Sequence, residues 1–164
     1  MLEIIVIAHN IRSTHNVGSI FRTCEGFGVK LLVLSGYTPY PRITNDTRLP
    51  HIADKLTQQI HKSALDAEEL VPFIHKDSPN IDELRAEGYT IVGLEQDRRS
   101  VMLSNYHPPQ KIALLLGEEV EGINNVLRSQ CDDLIEIPMQ GQKESFNVSV
   151  ATGIALYGLS TSAS

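Results

Sequence analysis

The 164-residue chain has only two cysteines, Cys24 and Cys131, and neither sits in the close spacing of a zinc-ligating or redox pair. They are expected to be isolated, reduced thiols. Every apolar run is far shorter than the ~20 residues a membrane helix needs, so no membrane span is expected. Met1-Leu2-Glu3-Ile4 lacks the basic stretch and cleavage site of a secretory leader, and a cytoplasmic location is the expectation. The six histidines show no ligand spacing such as HxxxH, and no metal is expected. A GxGxxG turn and a Walker A loop are both missing, which disfavours a nucleotide held by its phosphates and an ordinary dinucleotide-binding protein. The net charge of −6 has the wrong sign for holding nucleic acid by bulk electrostatics.

The charge is nevertheless uneven. Between His9 and Arg48 the cations Arg12, Arg22, Lys30, Arg42 and Arg48 face only Glu25 and Asp46, with His9, His15, Tyr37 and Tyr40 among them. From Lys111 onward the balance reverses, seven carboxylates standing against Lys111, Arg128 and Lys143. A basic end facing a polyanion and an acidic end tolerating a cation is one reading, and random surface scatter is the other.

Near-continuous apolar runs recur at Leu2–Ala8, Val29–Leu34, Val71–His75, Tyr89–Leu94, Ile112–Leu116 and Leu134–Ile137. They are rich in Val, Ile and Leu and do not alternate with polar residues, the pattern of strands buried on both faces of a parallel sheet. Helical spacing lies between them. Val17, Ile20, Phe21, Cys24 and Phe27 form one apolar stripe, which Gly28 can close. Asn80 and Glu83 resemble a capping box for a helix ending near Gly88. Gly122–Cys131 reads as a short helix, and Asn147–Ser160 as a last helix apolar nearly all round, expected to meet a partner subunit as well as its own sheet. Gly36–His51, with three prolines, reads as a long surface loop. The fold class is therefore α/β, a mostly parallel sheet flanked by helices, in a single domain over 1–164 with only the last few residues disordered.

Three segments carry candidate chemistry. In Asn16-Val17-Gly18-Ser19-Ile20-Phe21-Arg22-Thr23, Asn16 suits an N-cap and Gly18 admits a ligand or another backbone against the first turn. Arg22, near a helix start, suits a phosphate grip or a surface pair with Glu25. In Leu116-Gly117-Glu118-Glu119-Val120-Glu121-Gly122, a glycine-punctuated turn follows an apolar strand; its three carboxylates would repel a pyrophosphate and accept a cationic or neutral nucleoside. Ile137-Pro138-Met139 leads through a polar loop to Ser145-Phe146-Asn147, where Ser145 or Asn147 caps the last helix or the loop offers backbone groups to a ligand.

Together and in this order, the three segments resemble the motifs of the SpoU/TrmH branch of the SPOUT RNA methyltransferases. N-x-G-x-x-R-T is matched at Asn16, Gly18, Arg22 and Thr23; G-x-E-x-x-G at Gly117, Glu119 and Gly122; and I-P-M with S-x-N-x-S-x-A at Ile137, Pro138, Met139, Ser145, Asn147, Ser149 and Ala151. Phe146 replaces a usual leucine. The resemblance covers essentially the whole chain and includes no appended RNA-binding domain. It implies a deep trefoil knot over about 116–164, a homodimer, and S-adenosylmethionine (AdoMet) as cofactor, leaving S-adenosylhomocysteine (AdoHcy). It implies cofactor contacts from Leu94, Leu116, Gly117, Ile137, Met139, Ser145 and Phe146.

The implied reaction is methyl transfer to a ribose 2′-hydroxyl of tRNA or rRNA, with RNA rather than DNA as partner and no metal. Arg22 would grip the 3′ phosphate and stabilise the developing alkoxide, although the family's arginine is also proposed as a base. Asn16 would orient Arg22 or the ribose. Ser145 and Asn147 would bond the hydroxyl or shape the loop, and Glu119 would hold the loop or Arg22. Arg12, Arg42 and Arg48 join Arg22 as candidate RNA contacts. Methylation of a base nitrogen by the same fold, and a non-catalytic RNA- or AdoMet-binding module, are the alternatives.

Overall fold

Strand β1 (Glu3–His9) shows how the core is divided. Its Ile4, Val6 and Ala8 join one apolar cluster while Ile5 and Ile7 join another, because successive side chains leave opposite faces of a strand. Both faces are therefore covered, and β1 has no polar side. The computed structural model describes residues 1–162; Ala163 and Ser164, the end of the tail expected to be disordered, lie outside the described residues. The other strands are β2 (Leu31–Ser35), β3 (Phe73–Lys76), β4 (Thr90–Leu94), β5 (Val101–Met102), β6 (Lys111–Leu116) and β7 (Asp133–Glu136). They form one sheet in the order β3-β2-β1-β6-β4-β7-β5, and every pairing is parallel. All seven C-terminal ends thus open on the same edge, where open α/β sheets place their ligands.

Helices cover the two faces. On one side lie α1 (Thr14–Gly26), α2 (Pro50–Ala64), α3 (Ala67–Leu70) and α6 (Val148–Ser162), through Val17, Phe21, Ile60, Ala67 and Leu156. On the other lie α4 (Ile81–Ala86) and α5 (Asn125–Gln130), through Ile81, Leu84 and Leu127. Each fully buried Leu or Ile contributes ~1.5–3 kcal/mol. Among the described residues no helix is long and apolar enough to cross a membrane. Cys24 and Cys131 are buried and unpaired. Burial holds the Cys24 thiol far above its usual range, and burial together with Asp132 pushes Cys131 up to about 11.

The six expected strands and the expected α/β architecture are present, with ends shifted by one or two residues. Gly28 closes α1 as expected: it is left-handed at φ +61°, its N–H reaches Glu25 O, and the next N–H, of Val29, reaches Cys24 O. Five expectations need correcting. The helix expected over Gly122–Cys131 starts only at Asn125, because Gly122 belongs to a hairpin with Glu118 and the Asn124 side chain caps the helix by accepting the Leu127 N–H at 2.9 Å. Asn16 does not cap α1, since Ser13 is the N-cap and its hydroxyl accepts the Asn16 N–H at 3.1 Å. Asn80 caps α4 without a side-chain bond to the backbone; its amide instead donates to Glu83 at 2.9 Å. The loop after β2 ends at Leu49, because Pro50 opens α2 at a position where its missing N–H costs nothing. Finally α2, α3 and β5 occupy stretches to which the apolar pattern assigned no element.

Candidate functional site

The C-terminal ends of β6, β4 and β7 meet a cleft of about 500 Å³. Leu116, Leu94 and Glu136 form its floor at the strand ends, and the loops after β6 and β7 form its walls. The loop after β6 is shaped by its two glycines. Gly117 lies so close to Gly122 that a Cβ would overlap the Gly122 carbonyl carbon, and the Glu118 and Gly122 backbones exchange two hydrogen bonds of 3.0 Å. Gly122 is also left-handed, at φ +68°, and leaves no room for a Cβ beside the Glu95 carboxylate. The G-x-E-x-x-G spacing is therefore the geometry of a hairpin pinched at both ends.

Glu119, at the tip of that hairpin, reaches back to the first motif. Its carboxylate accepts the N–H groups of Arg12 (3.3 Å) and Ser13 (3.2 Å) and the side-chain amide of Asn16 (3.3 Å). Burial pushes this carboxyl up, and the hydrogen bonds from its own backbone, Ser13, Arg12 and Asn16 outweigh that and hold it below the usual range. Asn16, buried at 7% exposure, uses its remaining oxygen to accept the Asn147 amide at 3.1 Å. Asn147 in turn caps α6, its oxygen accepting the Ser149 and Val150 N–H groups and the Ser149 hydroxyl. One continuous chain of hydrogen bonds thus joins all three motifs beside the cleft. Glu119 holds the loop, and among the described residues no bond joins it to Arg22.

Leu94, Leu116, Gly117, Glu119, Ile137, Ser145, Phe146 and Asn147 line the cleft; Met139 and Asn16 do not. Gly18 serves the scaffold: a Cβ there would overlap the Ile60 carbonyl oxygen and Ser63 hydroxyl, so the backbone it admits is that of α2. Arg22 is exposed on α1, outside the cleft of its own chain, and has no ion pair or hydrogen bond among the described residues; the pair with Glu25 does not form. Thr23 next to it lies against Gly153 of α6. Arg12 sits over the Tyr37 ring, 5.6 Å from its centroid. Arg42 pairs with Asp54 at 2.9 Å on the surface. Arg48 is committed within its own loop, bonded to Asp46 at 2.6 Å and to the Tyr40 and Pro41 carbonyls, and stacked 3.5 Å above Tyr40.

Further cleft residues carry no motif in the sequence. Glu95 accepts the Ile123 N–H at 2.8 Å, and Gln96 donates to the Glu144 carbonyl at 2.8 Å, so the segment after β4 ties the two walls together. Glu118, Glu121, Glu136 and Glu144 also line the cleft, and among the described residues no Lys, Arg or His stands on its walls. Such a lining favours a cationic ligand over an anionic one. The only available hint in the sequence was position, since Glu95 and Gln96 directly follow a buried strand in a parallel sheet.

A family model described as the SpoU rRNA Methylase family matches residues 3–157. A 23S rRNA (guanosine-2'-O-)-methyltransferase of Coxiella burnetii is 32% identical over 156 residues, 94% of this chain and 56% of that protein. A solved structure of the A. aeolicus TrmH/SpoU tRNA modifying enzyme is similar at TM-score 0.80 and 27% identity, covering 99% of this chain and 76% of that one. The AdoMet-bound rRNA methyltransferase from Sinorhizobium meliloti shares the fold at TM-score 0.80 and 23% identity, covering 97% of this chain and 56% of that one. The chain spans between 9% and 58% of the length of the first curated relatives it matches.

Proposed function

The chain belongs to the SpoU rRNA methylase family, and from that premise we propose that it is an AdoMet-dependent methyltransferase acting on a ribose 2′-hydroxyl of tRNA or rRNA. The observation that carries this reading is the hydrogen-bond chain Glu119–Asn16–Asn147, which ties all three family motifs to the wall of one cleft. The relatives described above include an rRNA guanosine-2′-O-methyltransferase and an AdoMet-bound rRNA methyltransferase structure.

The cleft fits this cofactor on three counts. Its pinched glycine hairpin leaves backbone where side chains would otherwise intrude. Its carboxylates suit a sulfonium and an ammonium group. Its apolar members Leu94, Leu116, Ile137 and Phe146 suit an adenosine. Bound AdoMet supplies an electrophilic methyl group on a positively charged sulfur. A ribose hydroxyl is a weak nucleophile, so the protein must fix its direction and stabilise the charge that develops on oxygen. A guanidinium stays protonated at physiological pH, and Arg22 therefore acts by charge and by gripping the phosphate 3′ to the target ribose. Asn16 positions the loop of Ser145 and Asn147, whose polar groups face the ribose.

Arg22 works on the cleft of a second copy of the chain. It is exposed and unpaired on α1, beside α6, where Val150 (50% exposed) and Tyr157 (63% exposed) leave an apolar surface uncovered. A homodimer packed on that surface covers it and carries Arg22 to the partner's cleft. The C-terminal third forms the trefoil knot of the family, a reading supported by β4 lying between β6 and β7, both later in the chain. Arg12 and Arg42, exposed at the basic end, contact the RNA backbone, and Arg48 fixes the loop that carries Arg42.

The test is transfer of labelled methyl from AdoMet to RNA from cells lacking the gene, followed by nuclease digestion and mass spectrometry. Label in nuclease-resistant dinucleotides is the expected result. Label on a base would make the protein a base methyltransferase, and AdoMet binding without transfer to any RNA would make it a binding module.

A further inference from the structure

The strand-end edge carries a second cleft, of about 690 Å³, beyond β1, β2 and β3. It abuts the first at the loop of Arg12 and Ser13, whose N–H groups bond Glu119 of the first cleft. The two clefts are opposite in charge. The second is lined by Arg12, Arg48, His15 and His75 and by no carboxylate, whereas the first has carboxylates and no cation.

Its aromatic residues are not equivalent. Tyr40 has both ring faces covered, by Arg48 at 3.5 Å and by the His75 ring with centroids 4.0 Å apart. That stack is a rigid wall. Tyr37 is 49% exposed, and Arg12 lies over its ring, 5.6 Å from the centroid. Its backbone is fixed, because its N–H donates to the Asn10 side chain at 3.0 Å and Gly36 before it is left-handed at φ +65°. An exposed ring on a fixed backbone beside a guanidinium offers a stacking platform with a phosphate ligand at its edge, the combination that binds unstacked nucleotides.

Resting on the methyltransferase reading, we propose that this second cleft seats an unpaired nucleotide of the substrate RNA flanking the target ribose, its base on Tyr37 and its phosphate on Arg12. The enzyme then selects single-stranded segments through the methyltransferase domain itself. A duplex cannot enter, since its bases stay stacked on one another and offer no free face to Tyr37.

The test is fluorescence anisotropy with a labelled single-stranded oligoribonucleotide of mixed sequence and with the same strand annealed to its complement, alongside AdoMet calorimetry. The single strand should bind more tightly than the duplex. Tyr37→Ala should weaken single-strand binding about tenfold, Tyr37→Phe should stay within about twofold, and AdoMet affinity should be unchanged in both. Arg12→Gln should lower affinity and flatten its salt dependence by about one phosphate contact, a readout that does not depend on the Tyr37 variants folding. Equal binding of single strand and duplex, no binding of either, or unaltered RNA binding by Tyr37→Ala and Arg12→Gln would overturn the proposal. Failure of the parent protein to bind AdoMet would overturn the methyltransferase reading instead, while leaving the RNA comparison readable.

Discussion

The side-chain amide of Asn147 donates to the side-chain oxygen of Asn16 over 3.1 Å, joining residues 131 positions apart in the chain. Asn147 performs two tasks with one amide: its oxygen caps α6 and its nitrogen ties that cap to α1. The tasks are separable by substitution. Aspartate caps a helix as well as asparagine does, but it would present an oxygen to the Asn16 oxygen. Asn147→Asp should keep the α6 cap, lose AdoMet affinity and melt below the parent protein only by the cost of the unpaired Asn16 oxygen. Asn147→Ala should lose the affinity and also about 1 kcal/mol of stability through the missing cap. Thermal melts and AdoMet calorimetry on both variants check this. Unchanged AdoMet affinity in Asn147→Asp would show that the tie does not shape the cleft.

Gly18 and Gly26 lie on the same helix and should respond oppositely to alanine. Helix propensity alone favours alanine over glycine by up to ~1 kcal/mol. At Gly26 nothing lies within 4 Å of the added carbon, so Gly26→Ala should be neutral or stabilising. At Gly18 the carbon would overlap the Ile60 carbonyl of α2, an overpacking cost of about 1–3 kcal/mol that outweighs the propensity gain. Denaturant unfolding of the two variants checks the sign. A stabilised Gly18→Ala protein would mean that α1 and α2 can separate freely.

His61 couples stability to pH. Its Nδ1 lies 2.6 Å from a Glu68 oxygen, and that hydrogen bond, then the charges of Glu68, Asp66 and Glu69, raise its pKa. A raised folded-state value means the cation stabilises the fold fully below the ordinary histidine value of ~6.5, and the contribution disappears as pH rises through the folded value. His61→Gln should therefore lower the melting temperature relative to the parent most at about pH 6, with the gap narrowing toward about pH 9. A gap that widens with pH would contradict the assignment.

The inner strands were legible because they are buried on both faces, so Ile4–Ala8 and Ile112–Leu116 read as unbroken apolar runs, whereas β5, exposed at both residues, has no such run. Helix α2 was not legible for the opposite reason. It buries fully only Ala53, Ile60 and Ala64, a stripe with two alanines in it, between residues that are mostly exposed and polar. The motifs located most of the cleft, yet motif matching could not tell that Asn16 points to Glu119 and Asn147 instead of capping its helix. That depended on Ser13, three residues earlier, taking the cap. Glu95 and Gln96 carried no motif, only their position after a buried strand, because β4 reaches the cleft through sheet order, between β6 and β7, which no local spacing encodes. Arg22 was picked out by its motif and its exposure is now plain, but which cleft it serves is a property of the assembly.

That property offers the most direct test of the whole account. Arg22→Ala and Gly122→Val subunits, each inactive alone, would be co-expressed with different tags and the doubly tagged hybrid purified. Arg22→Ala should retain AdoMet affinity, and Gly122→Val should lose it because the side chain would strike Glu95. If Arg22 of one subunit acts on the cleft of the other, the hybrid contains one intact site and regains ribose methylation of RNA. A hybrid as inactive as either parent variant, while still a dimer that binds AdoMet in its intact cleft, would contradict the account.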